Sequence, residues 1–269
     1  MTSHEDKAVL FRSLHVPGRP LLLANAWDAA SALVTEAAGA PAVATTSAGV
    51  AWSLGAPDGD LLDREAAVAL AGRVAAAVRV PVTADIEGGY DDVALTVRGV
   101  LDAGVVGVNL EDADRGTPGA LLTVEAQAAR LSAARRAADE AGIPLFVNAR
   151  IDTFLRGAGD LGETLERAAA YVEAGADGIF VPGVTDLATI GTLTAKLEAP
   201  LNILAGPGGP TVAELAGQGV ARISLGSSVA QAAYAVARRA TAELFASGTY
   251  TEVAGALDYS ELNELLAPR

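Results

Sequence analysis

The sequence predicts an α/β protein built as a (β/α)8 barrel of the TIM type. Short apolar runs alternate strictly with longer helical patterns about eight times, as parallel strands covered by helices do. Glycine repeatedly follows a helical pattern just before the next apolar run, as at Gly104, Gly142 and Gly175, where it supplies the left-handed cap that ends a helix. An open, doubly wound sheet is the alternative, but residues 25–28 are not the glycine-rich turn expected after its first strand.

The predicted elements form a single domain over residues 1–269, because no break in composition divides the chain. A leading helix is expected near residues 4–14, and a long glycine-containing loop over residues 47–60. Strands are predicted at residues 21–25, 42–46, 80–90 (ending in two carboxylates and a glycine turn), 105–110, 144–149, 178–181, 201–204 and 221–225. Helices are predicted at residues 28–38, 63–79, 91–103, 123–141, 161–174, 186–197, 211–216 and 228–246, with a further helix in the tail 251–266.

Composition excludes several classes of function. The formal net charge of −14 argues against a nucleic-acid partner. No apolar run is long enough to span a membrane, and the polar first residues lack the core of a signal peptide, so we expect a cytoplasmic protein with no membrane partner. The chain has no cysteine, which excludes disulfides, a thiolate nucleophile and cysteine-bound zinc.

Carboxylates and amides follow several of the predicted strands. Alternation along a strand would place Thr83, Asp85 and Glu87 on one face. Two neighbouring acids repel each other unless a cation or a proton lies between them. The alternative interpretation of Asp85 and Glu87 is that they are solvated loop residues. For Asp152, at the end of the fifth strand, the alternative is a plain ion pair with Arg150. The further strand-end groups of this kind are Asn25, Asp28, Thr45, Thr46, Ser47, Asn109, Glu111, Asn148, Arg150 and Asp152.

The strand ends of such a barrel meet at one mouth, where its chemistry collects. An all-oxygen set of ligands there favours a hard cation, Mg2+ or Mn2+, over zinc. The two histidines, His4 and His15, precede the first strand, which argues against a serine–histidine triad and against a histidine-bound zinc. Neither lysine, Lys7 or Lys196, lies where a Schiff base would be needed. Residues 205–209 are expected to be a plain loop rather than a phosphate cradle, since two of the five neighbouring positions from 206 to 210 are prolines.

Five segments together resemble the isocitrate lyase/phosphoenolpyruvate mutase superfamily, in particular its short mutase-like members. The segments are residues 44–49, 54–58, 84–90, 107–112 and 148–152, and the similarity runs from about residue 21 to about residue 227. The resemblance implies a barrel with Mg2+ at the strand ends, bound directly by Asp85, while Asp58, Glu87 and Glu111 bind the metal or hold its waters.

The resemblance also implies how a substrate is held. A small 2-oxo acid would chelate the metal, and backbone N–H groups around Thr46, Ser47 and Ala48 would receive the same oxygens. Arg150 would pair with a substrate carboxylate, for which its planar fork is suited. The reaction makes or breaks a bond beside the oxo group through an enolate that the metal and the amides stabilise. The remaining residues assigned to the site are Asn109 for substrate binding, and Glu111, Asp58 and Tyr90 together with Arg150 for catalysis.

The sequence departs from the superfamily in the loop that follows Glu111 and Asp112. Residues 113–119 contain no Cys, Lys or His, unlike the loops of the lyases and of the mutase, and Pro182 stands where the mutase has a histidine. A cysteine acid is therefore not expected, and a water, Tyr90 or a carboxylate is left as the proton donor.

Three functions follow from the resemblance. The first is a Mg2+-dependent lyase or hydrolase that cleaves a C–C bond of a small 2-oxo or 2-hydroxy dicarboxylic acid. The second is an enzyme of P–C bonds, of the phosphonopyruvate mutase or hydrolase type. The third is a metabolite-binding barrel without catalysis. The resemblance further implies a homo-oligomer, a dimer of dimers in which the last barrel helix is exchanged.

Overall fold

Parallel strands form a nearly closed barrel in the computed structural model, which describes residues 3–267. Within those residues there are eight strands: β1 Leu21–Leu23, β2 Val43–Ala44, β3 Val82–Asp85, β4 Gly107–Glu111, β5 Phe146–Arg150, β6 Gly178–Val181, β7 Leu201–Leu204 and β8 Arg222–Ser224. The hydrogen-bonded order is β1-β8-β7-β6-β5-β4-β3-β2, and a single bridge between Ala26 and Thr45 joins the two ends. The predicted barrel is confirmed; the prediction of one domain over residues 1–269 stays a prediction.

Helices connect the strands and cover the outside of the barrel. They are α1 His4–Ser13, α2 Ala29–Ala37, α3 Ser47–Ser53, α4 Arg64–Ala77, α5 Val93–Asp102, α6 Val124–Ala141, α7 Thr153–Arg156, α8 Leu161–Glu173, α9 Leu187–Lys196, α10 Val212–Gly217, α11 Ser228–Ser247 and α12 Tyr259–Leu266, with a 3-10 turn at Thr251–Val253. No helix among the described residues is both long and apolar enough to cross a membrane.

Aspartate side chains begin many of these helices. Asp28, Asp92 and Asp160 each accept a hydrogen bond from the backbone N–H three residues further on, which satisfies a donor that the first helical turn leaves open. At the other end of α6, Gly142 adopts φ 68° and ends the helix before β5. These local signals are why the order of elements could be predicted.

The prediction of a long loop over residues 47–60 was wrong for its first half, which forms helix α3. Thr46 begins the helix in an extended conformation, and Ser47–Ala51 are buried. Small residues allow this burial: a Cβ at Gly49 would lie 2.7 Å from Thr46 Cγ2 and 2.8 Å from Trp27 Cβ. The serine and glycine that resembled loop residues are therefore close-packing residues of a short helix.

Helix α11, which follows the last strand, does not cover the side of the barrel at β1. Ala230 is the one buried residue of this fully described helix. Leu22, which points outward from β1, is 47 % exposed, and Phe245 on α11 is 85 % exposed. An outward strand residue in such a barrel is normally covered by a helix, so the side of the barrel at β1 lacks that cover within one chain. The predicted exchange of this helix stays a prediction.

Candidate active site

The ends of β3, β4 and β5 bring three of the predicted residues together at the mouth of the barrel. Asp85 is the last residue of β3, Glu111 of β4 and Arg150 of β5, and Glu111 and Arg150 are register partners. Each therefore lies where a parallel strand gives way to its loop, which is where barrel enzymes hold their reacting groups. The side chains are only slightly exposed: 12 % for Asp85, 2 % for Glu111 and 16 % for Arg150.

Arg150 is fixed by two acids. Its Nε and Nη2 donate to Oδ1 and Oδ2 of Asp152 at 2.7 and 3.0 Å, while Nη1 lies 2.8 Å from Glu111 Oε2. The Asp152 ion pair that the sequence allowed is thus present, and it holds the guanidinium plane beside the mouth. Burial lowers the pKa of Arg150, but the charges of Glu111, Asp152 and Asp85 outweigh burial and raise that pKa. Arg150 is therefore a permanent positive charge.

Among Asp85, Glu87 and Glu111, Asp85 has the longest contact with a guanidinium group. Arg150 Nη1 is 4.0 Å from its Oδ2, which also accepts from the Ser47 hydroxyl at 3.2 Å. Its Oδ1 accepts from the backbone N–H of Glu87 at 3.1 Å. Burial raises the pKa of Asp85, against the lowering effect of Arg150. Asp85 is thus oriented by neutral donors, and its charge is only partly compensated.

Glu87 does not continue the face of β3 as predicted, because the strand ends at Asp85 and Glu87 has φ 51°. Its side chain turns back, and Oε2 accepts from the backbone N–H of Gly59 at 3.0 Å and from that of Asp60. Burial raises the pKa of Glu87 to about 7, the Asp60 N–H lowers it, and the charges of Asp60 and Asp85 raise it.

Backbone strain is concentrated at this site. Within residues 3–267, the non-glycine residues with positive φ are Asp60, Glu87 and Tyr90, a conformation that costs side-chain-bearing residues energy and clusters at functional sites. The Tyr90 hydroxyl lies 3.5 Å from Glu87 Oε1. Burial raises the pKa of Tyr90, and the neighbouring acids raise it further, so the phenol stays protonated.

The other residues predicted for the site form no ion pair with Asp85, Glu111 or Arg150 in the described part of the chain. Asp58 is exposed, close enough to influence Asp85 and Glu87 through its charge. The N–H of Thr46 donates to Ala26 O at 3.0 Å and is not free for a ligand; Ser47 and Ala48 open α3 with N–H groups that no described residue accepts. The Asn109 side-chain oxygen accepts from Asn148 Nδ2 at 2.9 Å and from Arg222 Nη2 at 3.2 Å, so Asn109 is tied to buried neighbours on β5 and β8.

Sequence reasoning missed Arg115 and Asp60. Arg115 contacts Glu111 Oε1 through Nη2, and its guanidinium also lies 3.5 Å from Glu87 Oε2 and 3.4 Å from Asp60 Oδ2. Asp60 in turn accepts from the N–H of Gly88 at 3.2 Å. The signal that could have revealed Arg115 is its spacing: it is a lone arginine four residues after a strand-end glutamate.

Asp112, next to Glu111, belongs to a buried network of hydrogen bonds that holds the backbone near the site. Its Oδ1 accepts from the N–H of Asp152 at 2.9 Å, and its Oδ2 accepts from the Tyr171 hydroxyl at 3.0 Å and lies 3.3 Å from Arg167 Nη1. Asp112 and Asp152 are fully buried. This network fixes the backbone at Asp152, and so the position of Arg150.

The predicted metal ligands fit a divalent cation in their chemistry, since they offer carboxylate oxygens only. Among the described residues, however, no three acids or histidines stand close enough together to form a ready-made metal cluster. The reason is visible in the contacts: Arg115 lies between Glu87 and Glu111, and Arg150 lies between Glu111 and Asp85. Asp85 is the ligand most open to a metal, and Glu87 and Glu111 could join it directly or through waters.

The chain resembles known proteins over most of its length. A family model described as phosphoenolpyruvate phosphomutase matches residues 11–245. An uncharacterized protein of Mycobacterium tuberculosis is 41 % identical over 219 residues, which cover 81 % of each chain. The 2-methylisocitrate lyase of Shewanella oneidensis is 30 % identical over 208 residues, 73 % of this chain and 70 % of the lyase.

Solved structures of the same superfamily are also similar to this chain. The crystal structure of 2,3-dimethylmalate lyase, a member of the PEP mutase/isocitrate lyase superfamily, matches with a TM-score of 0.86 and 25 % identity, over 97 % of this chain and 95 % of that chain. Phosphonopyruvate hydrolase in complex with oxalate and Mg2+ matches with a TM-score of 0.84 and 26 % identity, over 96 % and 94 %. The chain therefore belongs to the phosphoenolpyruvate phosphomutase family, in the superfamily of the isocitrate lyases, and is a lyase-type enzyme of that superfamily.

Proposed function

We propose that this chain is a Mg2+-dependent lyase or hydrolase that cleaves a C–C bond of a small 2-oxo or 2-hydroxy dicarboxylic acid. The observation that carries the proposal is the placement of Asp85 beside Arg150 at the ends of β3 and β5, the strands on either side of β4: a partly compensated carboxylate lies 4.0 Å from a guanidinium. Mg2+, for which Mn2+ is expected to substitute, would act as a Lewis acid that stabilises the enolate produced by such a cleavage.

The chain's own residues have distinct tasks in this reaction. Arg150 binds a substrate carboxylate: an arginine has five N–H donors, of which two are hydrogen-bonded to Asp152 and a third faces Glu111 Oε2 at 2.8 Å, so two remain. Asp152 keeps the guanidinium plane in place. Ser47 orients Asp85 through its hydroxyl, and the N–H groups of Ser47 and Ala48 donate to substrate oxygens where negative charge develops.

The proton donor is left open between Tyr90, a water and a carboxylate. Tyr90 is protonated at neutral pH and lies near Glu87, so it is able to donate but is a poor base. The pKa of Glu87, about 7, permits this acid to gain or lose a proton near neutrality. Burial also raises the pKa of Glu111 to about 7, although the charges of Arg150 and Arg115 lower it, so Glu111 is a second candidate carboxyl.

A P–C bond enzyme is the second candidate, supported by the match to phosphonopyruvate hydrolase. Residues 113–119 do not separate the two candidates, because they differ from the loops of the lyases and of the mutase alike. The 30 % identity to a 2-methylisocitrate lyase favours the C–C reaction.

One experiment separates the candidates. The Mg2+-loaded protein is incubated with oxaloacetate, 2,3-dimethylmalate and phosphonopyruvate in turn, and the products are followed by proton and phosphorus NMR against protein-free controls. Faster decay of a dicarboxylate than in the control supports the C–C enzyme. Phosphate released from phosphonopyruvate supports the P–C enzyme. Binding of all three without turnover would contradict both and leave a metabolite-binding barrel.

The exposed surfaces support a homo-oligomer as part of the proposal. Leu22 on β1 and Phe245 on α11 are apolar and exposed within one chain. A second copy of the chain, covering β1 with its own α11, would bury both. We expect this exchange within dimers that pair into a tetramer, and a cytoplasmic location for the enzyme.

A further inference from the structure

We propose that Arg115 is the resident counter-cation of the metal site: it neutralises Glu87 and Glu111 in the metal-free chain and gives them up when a divalent cation binds. The inference rests on the proposed function, because it concerns the same carboxylates. It assigns a role to a residue outside the set predicted from the sequence, and it makes Arg115 a determinant of metal affinity.

The contacts of Arg115 are those of a bridging cation. One guanidinium meets carboxylates from three separate segments: Glu111 at the end of β4, Glu87 in the turn after β3, and Asp60 in the loop before α4. Gly59, with φ 113°, adjoins this guanidinium closely: a Cβ there would lie 3.1 Å from Arg115 Nη1.

Burial explains why these acids need a positive charge. The side chains of Glu87 and Glu111 are 1 % and 2 % exposed, and buried carboxylates are costly unless a cation compensates them. Glu111 is also compensated by Arg150. For Glu87, Arg115 is the one described side chain that makes an ion pair.

Arg115 is able to leave, whereas Arg150 is not. Arg150 is 16 % exposed and held by the fully buried Asp152. Arg115 is 32 % exposed, and two of its three acid contacts are longer than 3.3 Å. It lies in a loop closed by the bridge between Ala113 and Leu121, where the Asp114 N–H donates to Ala120 O at 3.0 Å. The side chain can therefore turn towards solvent while the loop backbone keeps its hydrogen bonds.

Arg115 and a divalent cation compete for the same oxygens. Each positive charge lowers the energy of the acids, but the two charges repel each other across a poorly screened site. Loss of Arg115 should therefore destabilise the metal-free protein and strengthen metal binding. If the ion pairs of Arg115 were purely structural, its loss would destabilise the metal-free protein without strengthening metal binding.

The test compares the wild type with Arg115→Gln and Arg130→Gln. Arg130 is the matched control, because its charge acts on Asp60 and Glu111 while its hydrogen bond goes to Gln127. Free Mn2+ is measured by EPR during titration at pH 8, and the melting temperature is recorded in chelator and in saturating Mn2+. We expect Arg115→Gln to bind Mn2+ about tenfold more tightly, and to melt below the wild type in chelator but close to it in Mn2+.

Each outcome decides a separate point. If the wild type binds Mn2+ and Arg115→Gln binds it no more tightly than Arg130→Gln does, the counter-cation role is overturned and the proposed function stands. An Arg115→Gln melting deficit that is equally large with and without Mn2+ overturns it as well. If the wild type binds no Mn2+, the metal-dependent function itself fails, and the inference fails with it.

Discussion

Arg150→Lys tests whether the guanidinium at the end of β5 serves the substrate as well as the fold. The substitution keeps the charge and removes the planar fork. The two bonds to Asp152, at 2.7 and 3.0 Å, join charged groups in a buried setting, where each hydrogen bond contributes about 1.5–3 kcal/mol. A lysine can replace one of them, so we expect a loss of about 2–3 kcal/mol in the free energy of unfolding.

That loss corresponds to a lower melting temperature by roughly 4–12 °C, at about 2–4 °C per kcal/mol for a domain of this size. The structure thus changes the expectation from sequence alone, which treated a substrate role and a structural role as alternatives. If Arg150 also binds a substrate carboxylate, kcat/KM should fall by about tenfold or more, which is about 1.4 kcal/mol of transition-state binding.

The assay measures melting and kinetics on one preparation, well below the lower melting temperature. Oxaloacetate is the first substrate, with oxalate binding in the presence of Mg2+ as a probe that does not depend on turnover. Arg156→Lys is the matched control, because Arg156 contacts the same Asp152 at 3.3 Å but neither Asp85 nor Glu111. Unchanged oxalate affinity and unchanged kinetics in Arg150→Lys would refute the substrate role; an unchanged melting temperature would refute the ion-pair reasoning.

Three further predictions concern the metal, pH and assembly. Asp85→Ala should abolish Mn2+ binding measured by EPR and Glu87→Gln should weaken it, and full activity of Asp85→Ala in chelator would contradict the metal site. Because the pKa values of Glu87 and Glu111 are both raised from 4.5 to about 7, the folded metal-free protein holds protons that the unfolded chain has lost. Stability in chelator should therefore fall as pH rises from about 5 to 7; in thermal melts Glu87→Gln should reduce that slope, and Glu111 should supply the remainder. Light scattering should give a tetramer of 27.0 kDa chains, whereas a monomer mass would rule out the exchanged helix.

The order of strands and helices was predictable because its signals are local. Glycine caps, aspartate N-caps and apolar runs act within a few residues, and they placed β4, α6 and β5 close to where they lie. The identity of the mouth residues was predictable for a similar reason. A strand-end position follows from the sequence, and in a parallel barrel all strand ends meet at one side.

The electrostatic partners at the mouth could not be predicted, because they depend on how the loops fold back. Glu87 leaves the strand face through a positive φ; the glycines that follow it predict a turn, but they do not show that the turn begins at Glu87 itself. Asp60 and Arg115 reach it from loops 27 residues before and 28 residues after Glu87 in the numbering. Helix α3 was missed because Ser47 and Gly49 are typical of loops unless close packing calls for small side chains.

Two clusters of acids and arginines lie at the same end of the barrel, and their differences support the proposal that the one at the mouth does the chemistry. The cluster behind the mouth, around Asp112 and Arg167, has side chains 0 % and 8 % exposed and ordinary backbone angles. Its acid has a donor for each oxygen, and such a closed network stabilises structure. The cluster at the mouth has more exposed arginines, 16 % at Arg150 and 32 % at Arg115, and a strained backbone at Asp60 and Glu87. A fold gains nothing in stability from that combination, and it persists where a ligand brings the missing charge.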